Sequence, residues 1–523
     1  SLEGVAAALA ATPRGQRASC ALAVSAGSAT LSPLLWALRD GFRDIARLLL
    51  ADLVAVRADR SGYYHGIAEL WSRCPGVLHA LLEFAPQLLE TLLDGHMLVD
   101  KEAVDGLRRV NLWVSHIYGD PELVEDVYCS PLGVLVDELP EAFLHAFSHP
   151  VVAATVDLKW QLFGRSRVLL LIAQQASCLV ALVGFQAAEV TGRTWLIAVF
   201  VLAWLALCCS LLFSTACVVV HQAVRRRFWA VPVPGSSLVL SVPRCLVESF
   251  IWLRIVCCVL SILLIANWLM ACGLDFGQER CRRIGPRDRY LLAPISALQW
   301  LQVVETFKLS NKLSAVLHIG RAMIWDAMCF MVVVGVWLVA IGAALHHFVA
   351  MDCAVQECDG EAAGLAAEFG VSAVFVMVGA TLGIAGEGLV FYEGTNEVAV
   401  KAFFVLALWV VLIPLLNLVI SAMVSTYTRF EEFTKDLAVR GRADLVLQVE
   451  DLMGKKRRER HWASLNFREP LELARLEHGL PGGISSLHSA KELELHPGFA
   501  RRTDAILRFS GSAEPEEPWP AHG

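Results

Sequence analysis

The residues of this chain with the most suggestive chemistry lie between positions 379 and 387. Gly379, Ala380, Thr381, Leu382 and Gly383 run together and are followed by Gly386, Glu387 and Gly388. Ahead of them, Glu368–Val378 is an apolar run of about a dozen residues, where a membrane span needs about twenty. A short helix that enters a bilayer partway and returns through glycines leaves backbone carbonyls unpaired, which is tolerated at that depth only where they are buried or line water. Backbone carbonyls and rings of carboxylates are the two usual replacements for an ion's hydration shell. The carbonyls of 379–383 and the Glu387 side chain could supply both, and the surrounding Asp352, Glu357, Asp359, Glu361, Glu368, Glu393 and Glu397 favour cations. A glycine-rich loop lying on the membrane surface is the alternative.

A second polar feature follows at Asn417 and Ser421, one helical turn apart on a face otherwise made of Leu, Val and Ile. Polar groups in a membrane helix face a partner helix or a water-filled cavity. If this face lines a pore, Ile420 and Val424 become its hydrophobic constriction. Further on, Lys455, Lys456, Arg457, Arg458 and Arg460 form a basic run that could attract anionic headgroups at about 1 kcal/mol per charge. A solvated charged end is the plainer reading. Enzyme chemistry finds no support: the membrane block has no paired carboxylates and no His/Cys cluster. His346-His347 reads as an interfacial or pH-sensitive pair, and His65, His79 and His96 lack ligand spacing, so no metal site and no cofactor is expected. The fifteen cysteines are scattered without zinc-like CxxC spacing, and Cys178, Cys208, Cys209, Cys257 and Cys258 read as small hydrophobes within apolar helices.

These features need a membrane to position them. The chain has 523 residues, of which 56% are hydrophobic, and its mean hydropathy is +0.55. A soluble domain is nearer 45–50% apolar. The excess is concentrated between about residues 165 and 430. Six spans are predicted: Val168–Phe185, Trp195–Val220, Leu246–Met270, Tyr290–Phe307, Ile324–Val349 and Val400–Ser425. The pore segment falls between the fifth and sixth. Arg225–Arg227, Arg244, Lys308, Lys312, Arg321 and Lys455–Arg458 then share one side with both termini, predicted to be cytosolic. Arg280, Arg282, Arg283, Arg287 and Arg289 fall on the other side and disagree. The first residues lack the charged-then-apolar build of a signal peptide. No internal repeat of helices suggests a transporter. The fourth span has no basic residue at every third position, so strong voltage gating is not expected. A net charge of -7 gives no support for nucleic-acid binding.

Before the membrane block, Ser32–Leu50 reads as one ankyrin repeat, with Ser32-Pro33-Leu34-Leu35-Trp36-Ala37 as its opening and Gly41 at its turn. The rest, to residue 148, reads as packed helices. After the sixth span, residues 427–452 continue as an amphipathic helix, and the Pro- and Glu-rich end from about Ser510 reads as disordered.

Several segments together resemble the transient receptor potential (TRP) cation channels, in a divergent, protist-like form. The resemblance covers roughly residues 30–460. HPVVAATVDLKWQLFG at His149–Gly164 is similar to the family's element leading into the first span, and Phe307–Met331 to its linker between spans four and five. Leu415–Tyr427 is similar to its sixth span, where Asn417 matches the family's asparagine. Arg442-Ala443 and Glu450 keep the spacing of its post-pore gating helix, although Ala438 stands where the family has tryptophan. Ile384 follows Gly383 where the family often has an acid, with Glu387 as a substitute.

The resemblance implies an all-α integral membrane protein with a re-entrant pore loop. Its parts are an ankyrin-like helical region (1–148), a pre-span element (149–164), a peripheral four-helix domain (165–310) and a pore domain (311–425). A gating helix with the basic cluster (426–460) and a partly disordered tail (461–523) follow. It implies a homotetramer conducting Ca²⁺ and Na⁺, with the Asn417 face lining the pore. Cys353 and Cys358 in the outer loop are then candidates for a disulfide, with two free thiols as the alternative. A membrane receptor or scaffold of channel ancestry that does not conduct is the competing function.

Overall fold

In a computed structural model of the chain, the residues described are 1–12, 17–22, 32–58, 63–104, 106–225, 228–232, 239–243, 246, 249–272, 286–310, 416–431, 433–474, 477–489 and 493, with isolated helical positions between 313 and 409. They are mostly helical. The chain divides into two units, Ser1–Ser314 with Lys435–Gly523, and Ala315–Thr434.

In the first unit α1 (Leu2–Ala11) and α2 (Arg17–Leu22) precede a helix–turn–helix. Ser32 caps α3 (Pro33–Arg39) by accepting from the Leu35 N–H, and Pro33 sits in the first turn, where its missing N–H costs nothing. Gly41, at φ +77°, makes the turn into α4 (Arg43–Val54). The hairpin β1 (Val56–Ala58) and β2 (Tyr63–His65) leads to α5 (Gly66–Arg73), α6 (Val77–Phe84) and α7 (Leu89–Asp94). Leu34, Leu50, Leu53, Leu70, Leu81 and Leu92 from these helices are buried together, each contributing about 1.5–3 kcal/mol. Then come β3 (Met97–Val104), β4 (Leu107–Leu112), α8 (Ser115–Tyr118) and α9 (Pro131–Glu138).

The chain enters its apolar block through α10 (Pro150–Lys159) and a π-helical turn, Trp160–Gly164. It continues as α11 (Arg165–Thr191) and, after Gly192 in the left-handed conformation, as α12 (Thr194–Val224). The hairpin β5 (Phe228–Pro232) and β6 (Val239–Pro243) precedes α13 (Ser249–Cys272). Among the described residues, three helices are long and apolar enough to cross a membrane, and they are α11 with its lead-in, α12 and α13. Their lipid-type surface is plain: Val180, Leu202, Phe213 and Met270 are exposed, while Cys178, Trp204, Cys208, Leu264 and Ile295 form the interior. The fourth predicted span corresponds to α14 (Pro286–Val303), interrupted by Pro294, with a 3₁₀ continuation Val304–Leu309. Its Gln299, Gln302 and Glu305 turn into the bundle, which is why its sequence reads as the weakest span. Most of the fifth and sixth predicted spans lies outside the described residues; α15 (Leu416–Glu431) covers the end of the sixth.

Beyond it are α16 (Thr434–Asp451) and α17 (Lys455–Ala463), then β7 (Pro470–Ala474), β8 (Glu477–Pro481) and β9 (Ile484–Ser489). The mostly helical structure agrees with an all-α membrane protein, and short antiparallel pairs are added to it. The sheet order is β3-β4-β9, with Val110 paired to Ser486 and Leu112 to Ile484. A segment expected to be tail thus completes a sheet in the N-terminal region, because β4 offers it an open edge.

In the same unit Trp71, His96 and His116 form a ring cluster, with centroids 5.7–5.9 Å apart. The Trp71 indole donates to His96 Nε2 at 2.8 Å, and His96 Nδ1 lies 3.0 Å from the Leu92 carbonyl, so the ring is neutral with its proton on Nδ1. Burial holds the His116 imidazole down at about 4, from an ordinary 6.5. Its folded value lies below its unfolded one, so its share of stability is full above pH 6.5 and is lost as pH falls from 6.5 to 4. That loss amounts to about 3 kcal/mol. Thermal unfolding of the solubilised chain should show a midpoint falling over this window, and His116→Phe should flatten the slope. An unchanged slope would contradict the assignment.

Candidate functional site

The site is a set of charges where the helix after α15 meets the entry to the membrane block. His149 prepares it: Nδ1 accepts from the Val151 N–H while Nε2 reaches Asp94 at 3.2 Å, so α10 starts at Pro150 in a fixed direction. At the other end of α10, Lys159 has no solvent exposure and donates from Nζ to Glu450 Oε2 of α16 at 2.7 Å. The same ammonium stands 4.1 Å from the centroid of the Tyr118 ring. Burial first, and the Glu450 carboxylate second, push the Tyr118 phenol far above its ordinary value, so it stays protonated. Two residues before Lys159, Asp157 accepts from Arg442 Nη1 of α16 at 2.7 Å, and the Arg442 guanidinium lies 5.1 Å from the Trp160 ring. Gly164 permits the approach. A Cβ there would fall 2.9 Å from the Trp160 ring and 3.2 Å from Val446 of α16. Trp160, Phe163, Val168, Val446 and Met453 close the apolar side.

A second charged cluster sits inside the helix bundle. Arg254 of α13 donates to Glu305 Oε2 at 2.7 Å, and Gln175 of α11 donates to the same oxygen at 2.6 Å. A charge at this depth is expensive unless paired, so Arg254 is a fixed partner of Glu305 rather than a free gating charge.

The sequence-predicted residues divide into three groups. Gly379, Ala380, Thr381, Leu382, Gly383 and Glu387, together with Cys353 and Cys358, lie outside the described residues. Asn417, Ile420, Ser421 and Val424 follow one another at three- and four-residue steps on α15, and all four are exposed in the single chain. Arg442 and Glu450, eight residues apart on α16, are each paired with a residue of the pre-span element. In the basic run, Arg458 is buried and donates to the Glu125 carbonyl at 2.9 Å, leaving Lys455, Lys456, Arg457 and Arg460 exposed. Sequence reasoning missed Asp157, Lys159, Trp160 and Gln175. A lysine within the apolar stretch VVAATVDLKW was the available signal for Lys159. Among the described residues no group of three or more His, Cys, Asp or Glu side chains is arranged to hold a metal ion.

No protein-family model matches the chain, and no curated protein is found to be similar to it.

Removing one partner of a buried pair strands the other. Glu450→Ala should destabilise the chain by about 3–5 kcal/mol, whereas Lys159→Met with Glu450→Leu should recover most of that loss. Thermal unfolding of the purified variants measures both, and losses that simply add in the double variant would contradict the pairing.

Proposed function

We propose that the chain is one subunit of a homotetrameric cation channel of the TRP type, with six membrane helices and a re-entrant loop between the last two. It passes Ca²⁺ and Na⁺ down their gradients, with or without preference between them, and is not strongly voltage-gated. The observation that carries the reading is the anchoring of α16. Arg442 and Glu450, the residues that keep the spacing of the family's gating helix, are the ones held by Asp157 and buried Lys159 on the element leading into α11. A helix that continues from the pore-lining segment is thereby lashed to the base of the peripheral bundle, so displacement of one is passed to the other.

In this reading Gly379–Gly383 and Glu387 form the filter, and Asn417, Ile420, Ser421 and Val424 line the pore below it. The exposure of that α15 face in a single chain leaves it available to water and neighbouring subunits. The helix pair α3–α4 is an ankyrin-like unit on the cytosolic side, where both termini lie. Lys455, Lys456, Arg457 and Arg460 face anionic lipid headgroups of the plasma membrane or another cell membrane. One observation favours the non-conducting receptor instead: Ala438 is a buried alanine where the family has tryptophan.

Whole-cell recording in a cell of low background current tests the proposal. The chain should give a cation current, Glu387→Gln should shift its ion selectivity, and Asn417→Leu should lower conductance. Absence of current from verified surface tetramers, across a panel of lipids and temperatures, would overturn it in favour of the receptor.

A further inference from the structure

A cavity of about 320 Å³ opens between α8 with the loop after it and the segment that runs from the end of α17 to the end of β8. Ligand sites occupy about 300–1,000 Å³, so this one suits a single small molecule. The Ser115 N–H donates to the Gly482 carbonyl at 2.9 Å and holds the two walls together. Only glycine fits at 482, where a Cβ would collide with Ser115 Oγ. Trp462 and Phe467 give the cavity an aromatic side, their ring centroids 4.8 Å apart and edge to face. The His116 ring, stacked on Trp71, adds to the lining. Burial keeps that imidazole uncharged at neutral pH, and its Nδ1 is buried without a hydrogen-bond partner. Buried polar atoms are ordinarily paired, and this unpaired one belongs to the cavity wall.

The rest of the lining carries both signs of charge, from Asp120, Glu122 and Arg468. Asp120 Oδ1 accepts from the Glu122 N–H, which fixes the turn. Among the described residues none of these three side chains is in an ion pair. Opposite charges that share a cavity without pairing, beside rings that can take a planar group, match a zwitterion with an aromatic side chain. One guanidinium against two carboxylates is unsuited to a phosphate-rich ligand.

We propose that this cavity binds a free aromatic α-amino acid, its ammonium held by Asp120 and Glu122, its carboxylate by Arg468 and its ring against Trp462 and Phe467. The Arg468 fork can grip a carboxylate with two parallel N–H donors, and packing on the two rings selects a planar side chain. Tyr118 connects the site to the anchor of α16. Its ring centroid lies 5.3 Å from that of Trp462 and 5.9 Å from that of Phe467, and it also carries the Lys159 ammonium. A bound amino acid thus braces the aromatic layer on which the Lys159–Glu450 pair rests. Binding does not depend on whether the chain conducts ions.

Isothermal titration calorimetry of the full chain in lipid nanodiscs tests this, with L-tryptophan, tryptamine, indole-3-propionate and glycine as probes. L-Tryptophan should bind saturably at one site per chain. Tryptamine lacks the carboxylate, indole-3-propionate the ammonium and glycine the ring, so each should bind about tenfold more weakly or worse. Arg468→Gln should weaken L-tryptophan binding about tenfold and leave tryptamine unchanged. Asp120→Asn with Glu122→Gln should weaken L-tryptophan and tryptamine and leave indole-3-propionate unchanged. Asparagine keeps an acceptor for the N–H of position 122, and Glu122 and Arg468 are exposed, so the unfolding midpoints should match the wild type. If a variant unfolds, the four probes on the wild type decide. Absence of saturable L-tryptophan binding at millimolar concentration, in a folded wild-type chain, would overturn the proposal. So would equal affinities for the four probes, or L-tryptophan binding unchanged in both folded variants.

Discussion

A lysine with no solvent exposure must have a counter-charge, and Lys159 finds its own in Glu450, 291 positions later. Everything from the first membrane helix to α16 is bracketed by this one ion pair. Its geometry sets other choices: a Tyr118 ring stacked under the ammonium, a Gly164 where α16 passes, and His149 starting α10 in the right direction. The neighbouring Arg442–Asp157 pair, with Asp157 half exposed, adds direction more than energy, since exposed pairs are worth little.

The same rule repeats inside the bundle. Arg254 and Glu305 neutralise each other, and Gln175 completes the carboxylate's hydrogen bonding. Such a fixed centre ties α11, α13 and the 3₁₀ turn after α14 together. The bundle interior is thus held by paired charges, as the junction of α10 and α16 is held by Lys159 with Glu450 and Asp157 with Arg442.

The membrane helices were the most legible part of the sequence. Val168–Phe185, Trp195–Val220 and Leu246–Met270 fall within Arg165–Thr191, Thr194–Val224 and close to Ser249–Cys272, because apolar runs of that length admit no other structure in lipid. The Ser32-Pro33 start and Gly41 turn were legible too, since capping and positive φ are local chemistry. The β3–β4 hairpin has a local sign in Gly106, whose φ of 76° suits glycine, within a region that otherwise reads as helical. The addition of Ile484–Ser489 to that sheet was not readable, since strand pairing across so many residues leaves no local pattern. Arg442 and Glu450 were picked out by the family resemblance, yet their partners Asp157 and Lys159 were not, because an ion pair is fixed by the fold and not by either segment alone.

The central claim is that this chain makes a cation-conducting pore, and purified protein tests it without cellular contributions. Reconstituted into planar bilayers with unequal sodium chloride on the two sides, verified tetramers should give currents whose reversal potential moves toward the sodium equilibrium value. A reversal potential at the chloride value, or membranes that stay silent with tetramers present, would contradict the account.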